Sequence, residues 1–303
     1  MTKLIYDTCL IRTGLKGSDS TLIERALFKV AKKWIAGNTM EEAIRYARDA
    51  NANGMEAIIN RLGEHMTLEA QIESTVSEYL SLVSNMRKAR ISGGISVKPT
   101  QVGLAKDAGE CASNLGKIIG EALKSQSFVW IDMESSEYTD GTISIYLGLF
   151  EKYERIGIAL QANMKRTEAD LRMLLGRGAK VRLVKGAYRE SARNAFKTRQ
   201  EVDANYKRLA GMLFQDGNEF AIATHDSAMI RHAILLASKH ERKFEFQMLK
   251  GIRDELKPSL IRDGYAISEY IPYGTNWLPY SIRRLKERKR NILLLGSSFL
   301  HSA

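Results

Sequence analysis

The sequence has very little of what several common chemistries require. Its two cysteines, Cys9 and Cys111, have neither metal-ligand nor redox spacing. That excludes a zinc cluster or a disulfide scaffold and fits reduced thiols in a cytoplasmic protein. Its five histidines (His65, His225, His232, His240 and His301) form no HExxH or comparable pattern, so no metal site is expected. No apolar run approaches the roughly 20 residues of a membrane span. Residues 1–14, interrupted by Asp7 and Arg12, make a poor signal peptide. GRGAK at 176–180 precedes a predicted strand instead of following one, which excludes a dinucleotide fingerprint and a phosphate loop. No serine or cysteine has a base placed to activate it as a nucleophile. Zinc-finger, helix-turn-helix and RNP-like patterns are missing too, so nucleic acid is not an expected partner.

What is present is a globular composition, 44% hydrophobic and 27% charged over 303 residues. Basic residues outnumber acidic ones, 46 to 35, for a net charge of +11. Such a surplus favours anionic partners, whether lipid headgroups or acidic substrates, without choosing among them.

Periodicity supplies the fold class. Ser20 is placed to cap a helix running to about Ile35 and ended by Gly37; Thr39 is placed to cap a second, stopped by NANG at 51–54. Apolar runs of strand length then recur at 56–62, 94–98, 128–132, 157–161, 180–184, 219–224, 243–247 and 265–271. Helix-period segments follow them at about 67–90, 105–124, 142–153, 167–176, 199–215, 226–238, 252–263 and 279–290. Thr167 with Asp170 resembles a capping box at the start of one of these. Eight strand–helix units predict an α/β fold of the (β/α)8 barrel class, with an open doubly wound sheet as the alternative. The implied organisation is an N-terminal helical arm over 1–55 and a barrel over 56–303 that ends in a helix and a short apolar tail.

In such barrels the active site gathers at the C-terminal ends of the strands. Those positions hold Glu64, Lys98, Asp132 with Glu134, Gln161, Arg182 with Lys185, Thr224 with His225, Gln247, and Tyr270 with Tyr273. Strands that are otherwise apolar have no structural reason to stop so regularly in hydrogen-bonding or charged residues. After the last strand, YIPYGTNWLPYSIRRLKE at 270–287 brings Arg283 and Arg284 near the positive end of a helix that Pro279 suits in its first turn. Guanidinium groups there match a carboxylate or phosphate. Together the residues describe a cationic, tyrosine-walled clamp for a small carboxylate beside a cofactor that performs the difficult chemistry.

Seven segments, in order and at strand ends, resemble the motifs of proline dehydrogenase: SVKPT (96–100), IDMES (131–135), LQAN (160–163), RLVKGAY (182–188), ATHD (223–226), FEFQML (244–249) and the 270–287 segment. The resemblance covers about residues 56–290. It implies a distorted (β/α)8 barrel that binds FAD and oxidises L-proline to Δ1-pyrroline-5-carboxylate by hydride transfer. It also implies electron transfer to a membrane quinone, to which peripheral docking of a basic protein is suited, and a separate pyrroline-5-carboxylate dehydrogenase for the next step. By the same resemblance Lys98, Arg283 and Arg284 hold the proline carboxylate, while Tyr270, Tyr280 and Leu249 wall its ring. Gln161, Lys185, Gly186, Ala187, Thr224, His225 and Gln247 line the flavin, with Met133 beside it and Arg182 at its reactive edge. Asp132 orients the cationic groups, Glu287 orients one of the paired arginines, and Glu64 latches onto the same helix. Two departures bear on pocket shape: LQAN ends in Asn163 where many relatives carry an aromatic residue, and Lys250 is expected on the substrate side. Hydroxyproline oxidation and a non-catalytic basic barrel binding nucleic acid or lipid are the alternatives. The bulk of Tyr270 opposes the first, and the strand-end residues oppose the second.

Overall fold

A computed structural model of the chain describes residue 28 and residues 31–282. Eight parallel strands close into a barrel in chain order. They are β1 (Glu56–Arg61), β2 (Gly93–Val97), β3 (Phe128–Ile131) and β4 (Ile156–Gln161), then β5 (Val181–Val184), β6 (Glu219–Ala223), β7 (Lys243–Leu249) and β8 (Ala266–Tyr273). β8 returns to pair with β1, through Glu56–Arg61 opposite Ser268–Tyr273, so no sheet edge is left open. Each predicted strand lies within two residues of its observed bounds. The barrel of the sequence reading is the observed fold.

Helix α1 (Met40–Ala52) precedes β1. Between the strands stand α2 (Glu69–Lys88), α3 (Ala108–Leu123), α4 (Thr139–Phe150), α5 (Thr167–Leu175), α6 (Arg199–Asp216), α7 (Ser227–Ala237) and α8 (Lys257–Arg262). The Thr39 cap forms as expected, with a reciprocal bond to Glu42 that makes it a full capping box. The expected box at Thr167 does not form. Thr167 Oγ1 instead donates to the Gln161 carbonyl at 2.5 Å, and Asp170 pairs with Arg166 at 2.7 Å. The helix expected over 252–263 is also shortened, because Gly251 and Arg253 adopt positive φ and Pro258 favours a start at Lys257. The start expected at Ser20, and most of the C-terminal helix and the tail, lie outside the described residues.

Outward-facing strand residues and the inner faces of the helices form one large apolar core. Inside the barrel a smaller cluster of Ile58, Trp130 and Ala221 fills the axis. Trp130 fits because residue 157 is glycine: a Cβ there would overlap its indole. Among the described residues no helix is long and apolar enough to cross a membrane.

The distortion of the barrel lies at its seam. α1 packs on both β8 and β1, burying Ala43, Ala47 and Ala50, in the outer-ring position that closes the circle. The chain after β8 is therefore free to become helical over the barrel mouth at 277–282. There Trp277 and Tyr280 pack on Leu62, just beyond β1, and on Ala31, Trp34 and Ile35.

Candidate active site

Alternation along a strand sends every second side chain to the barrel axis. At the C-terminal rim this rule gathers Ser96 of β2, Asp132 just past β3, Arg182 of β5, Gln247 of β7 and Tyr270 of β8. Arg182 is 2% exposed. Its guanidinium donates to Gln247 Oε1 at 3.1 Å, to Ser96 Oγ at 2.9 Å and to the Asp132 carboxylate. Ser96 Oγ donates onward to Asp132 Oδ1 at 2.9 Å, and the Tyr270 hydroxyl donates to Asp132 Oδ2 at 2.9 Å. The guanidinium carbon also lies 5.0 Å from the Trp130 ring centroid and 5.7 Å from that of Tyr270. Burying an ion pair is tolerable only when its remaining donors and acceptors are satisfied, and this network satisfies them. Burial, reinforced by the negative charge of Asp132, pushes the Tyr270 phenol well above its ordinary pKa, so it remains a donor.

Asp132 therefore has both oxygens committed to fixed donors. These bonds hold Arg182 and Tyr270 in fixed positions. Gln247 is held in turn: its Nε2 donates to Glu245 Oε1 at 2.6 Å, which leaves its Oε1 for Arg182. Burial raises the pKa of Glu245, against its bonds from Ser268 and Gln247.

Most of the other expected residues that are described stand at or just beyond the strand ends. Lys98 Nζ lies 4.0 Å from Glu64 Oε1, the two residues standing just beyond the ends of β2 and β1. Gln161 is 3% exposed and donates to the Glu134 carbonyl at 2.7 Å. His225 Nε2 accepts the Leu249 backbone N–H at 2.8 Å, so in that bond the proton of the imidazole sits on Nδ1. Thr224 Oγ1 accepts from Asp226 N at 3.1 Å, ordering the loop that carries His225. Met133 is buried in the main core cluster, and Ala187 is exposed. Tyr280 sits over the rim at 8% exposure and contributes to the electrostatic environment of Tyr270. Arg283, Arg284 and Glu287 lie outside the described residues.

Lys185 is not a free cation. Its ammonium pairs with Asp203 and with Asp226, the latter at 2.7 Å, so its charge orders the loops after β5 and β6. Burial works against the Asp226 carboxylate, but the bond and charge of Lys185, the Ala228 N–H and Arg199 outweigh it and hold the pKa down at about 2. Because this folded-state value lies below the unfolded one, the contribution to stability is present above the ordinary value of 3.8 and is lost as pH falls toward 2. Thermal unfolding followed by circular dichroism should show Asp226→Asn losing less stability than wild type across that window, since asparagine keeps the helix cap without the titration.

Three expectations are corrected. Tyr273 faces away from the mouth and donates to Glu78 of α2 at 3.0 Å; three residues after Tyr270, it has the opposite strand parity. Glu134 is wholly buried and accepts both Thr100 N at 2.9 Å and Thr100 Oγ1 at 2.6 Å, so it caps the turn after β2. Burial raises its pKa against those two bonds. Lys250 turns from the substrate side to the N-terminal segment, donating to Lys32 O at 3.1 Å. Ser96, Trp130 and Glu245 were missed, although each stands two residues before a strand-end residue and so shares its inward face.

The rim fits the flavin that the resemblance implies. Gly186, at φ +103, holds its backbone so close to Asn163 that a Cβ would overlap the amide. Asn163 Oδ1 is buried with no hydrogen-bond partner among the described residues, an acceptor available to a ring N–H. Asn163, in place of the aromatic residue expected there, thus makes this stretch of rim polar. The donor set of Arg182, Gln161 and Gln247 suits an electron-rich heterocycle.

The family model described as proline dehydrogenase matches residues 43–294. Proline dehydrogenase 2 of Bacillus subtilis is 35% identical over 278 residues, covering 88% of this chain and 92% of the relative. Proline dehydrogenase of Deinococcus radiodurans is 30% identical over 310 residues and covers 99% of both chains. Among solved structures, proline utilization A (PutA) from Bdellovibrio bacteriovorus, inactivated by N-propargylglycine, superposes with a TM-score of 0.81 at 25% identity. That match takes in 89% of this chain and 34% of the PutA chain.

Proposed function

The chain belongs to the proline dehydrogenase family, and on that premise we propose that it oxidises L-proline to Δ1-pyrroline-5-carboxylate at the rim around Arg182. The observation that carries this reading is the buried Arg182–Asp132–Tyr270 network at the barrel mouth, bordered by Lys98. When bound, FAD supplies the hydride acceptor. Gln161, Arg182, Thr224, His225, Gln247 and the main chain of 185–187 would hold it, with Met133 supporting that wall from the core side.

Lys98, joined by Arg283 and Arg284, holds the substrate carboxylate, each charge-assisted bond contributing about 1.5–3 kcal/mol. Tyr270, Tyr280 and Leu249 enclose the apolar ring. Fixing the carboxylate at one end and the ring between these walls sets the direction of the C–H bond that breaks, which is catalysis by orientation. Arg182 stabilises the negative charge that develops on the acceptor side, and its paired, buried setting means that it needs no reorganisation to do so. No side chain of the network is free to serve as a base, so the substrate amine loses its proton to water before the C–H bond breaks. A membrane quinone is the proposed final electron acceptor. The +11 net charge supports docking on anionic lipid. The product is the substrate of a pyrroline-5-carboxylate dehydrogenase activity.

Steady-state turnover with proline and an artificial electron acceptor tests the reading; no activity at any proline concentration would overturn it. The same assay tests specificity. Tyr270 is locked by its bond to Asp132 and leaves little room for a ring hydroxyl. Wild type should prefer proline over trans-4-hydroxyproline by about tenfold or more in kcat/KM, and Tyr270→Ser should narrow that ratio. An unchanged ratio would remove Tyr270 from the substrate wall.

A further inference from the structure

Lys250 follows β7 and is 8% exposed, yet among the described residues no ion pair reaches it. Its ammonium donates to the carbonyls of Lys32 at 3.1 Å and Lys33 at 3.4 Å, and lies 4.1 Å from the centroid of the Tyr46 ring. Burial lowers its pKa, with the more distant carboxylates of Glu269 and Asp254 opposing and Lys257 adding to the fall. A desolvated ammonium with no carboxylate partner is costly to keep, so what it holds bears on its purpose. It holds the carbonyls that a helical turn leaves unpaired at its C-terminal end.

The segment so held is tied to the barrel at several further points. Gly251, at φ +71, passes so near Lys33 that a Cβ would overlap the Lys33 carbonyl. Ala36 N donates to Pro272 O at 2.8 Å, and Gly274 N donates to Gly37 O at 2.9 Å. Lys250 N itself donates to Tyr270 O at 2.9 Å. Between these ties Ala31, Trp34 and Ile35 pack with Leu62, Trp277 and Tyr280. The ring of Phe28 lies 5.1 Å from that of Trp277. The N-terminal segment is thus wedged between the barrel rim and the helix that carries Tyr280.

We propose that residues 31–37 form a strut of the substrate pocket, clasped by Lys250, which fixes the helix over the mouth and with it the position of Tyr280. Lys250 touches neither substrate nor cofactor in this account; it is a positioning residue acting through the strut. Its cation replaces the solvent that the Lys32 and Lys33 carbonyls would otherwise need, and so allows the strut to lie dry against the rim. The proposal rests on the reading of this rim as a proline site.

The test uses the full flavin-loaded chain as wild type, Lys250→Met and Trp34→Phe, measuring KM and kcat for proline, flavin affinity and thermal stability. Each variant should raise KM about five- to tenfold while kcat and flavin affinity stay within about twofold, because wall placement is lost and the redox centre is not. A lower melting temperature with an unchanged KM would overturn the strut and leave Lys250 a purely structural residue. Should Lys250→Met fail to fold, Trp34→Phe, which keeps an aromatic ring in place, decides by the same criterion. Absence of proline oxidation by wild type would overturn both proposals; oxidation with unchanged variant KM values would overturn the strut alone.

Discussion

Arg182→Met should lower kcat/KM for proline about a thousandfold while the barrel remains folded. The expectation follows from what the guanidinium does and from where it sits. It is a fixed, dehydrated cation, which the proposed function sets beside the hydride acceptor, and donors of this kind contribute about 3–4 kcal/mol of transition-state stabilisation, or 10²–10³ in rate. Methionine retains much of the side-chain volume and its contact with Trp130, so no large cavity forms. Asp132 keeps its bonds from Ser96 and Tyr270, which limits the penalty of losing the cation. Arg182→Lys should recover only part of the loss, because an ammonium cannot bond Gln247, Ser96 and Asp132 with the same fork. Rates are to be expressed per flavin-containing molecule, with flavin affinity measured beside them. A fall in kcat/KM smaller than about tenfold would mean that Arg182 acts only in packing.

Gly94→Ala should be the most damaging small substitution in the barrel, destabilising it by more than about 3 kcal/mol or preventing soluble expression. A Cβ on residue 94 would overlap the carbonyl of Phe128 in the adjacent strand β3. Its neighbour Gly93, at φ +129, is equally tight against Ala57 of β1. β2 therefore needs two consecutive glycines to lie between its partners at the register that joins Gly94 to Ile58 and Phe128. The obstructing atoms are backbone, so no rotamer change relieves the overlap; the strands would have to separate. Urea unfolding of variant and wild type gives the measurement. A difference below about 1 kcal/mol would show that the strands adjust, contrary to this account.

The strands were readable because a parallel barrel buries both faces of each, which makes short apolar runs with polar ends. The strand-end residues were readable for the same reason: Lys98, Asp132, Arg182 and Gln247 interrupt patterns that would otherwise be hydrophobic. Reading only the last residue of each strand hid the layer beneath. Ser96, Trp130 and Glu245 follow from alternation once the inward face is assigned. Tyr273 was misread by ignoring that alternation, since an odd spacing from Tyr270 sends it to the helices. Glu134 was misread for a different reason. The chain turns after Ile131, and a carboxylate two residues past Asp132 no longer obeys strand parity; it meets Thr100 instead.

The N-terminal segment was the least legible element of the candidate site. Lys250 and Lys32 are 218 positions apart in sequence. Nothing in the local pattern around either lysine distinguishes a clasp from an ordinary surface charge. Likewise α1 reads as an amphipathic helix with a sound cap, but its place against β1 and β8 depends on how the barrel closes. Arg283 and Arg284, where the sequence reads most clearly as an anion clamp, lie outside the described residues.

The most direct test of the central claim is anaerobic addition of L-proline to the flavin-loaded protein, followed at the flavin absorption bands. Proline should bleach the flavin rapidly and form one equivalent of Δ1-pyrroline-5-carboxylate per flavin, with bleaching slowed by orders of magnitude in Arg182→Met. A flavin that stays oxidised at saturating proline, while still reducible by dithionite, would contradict it.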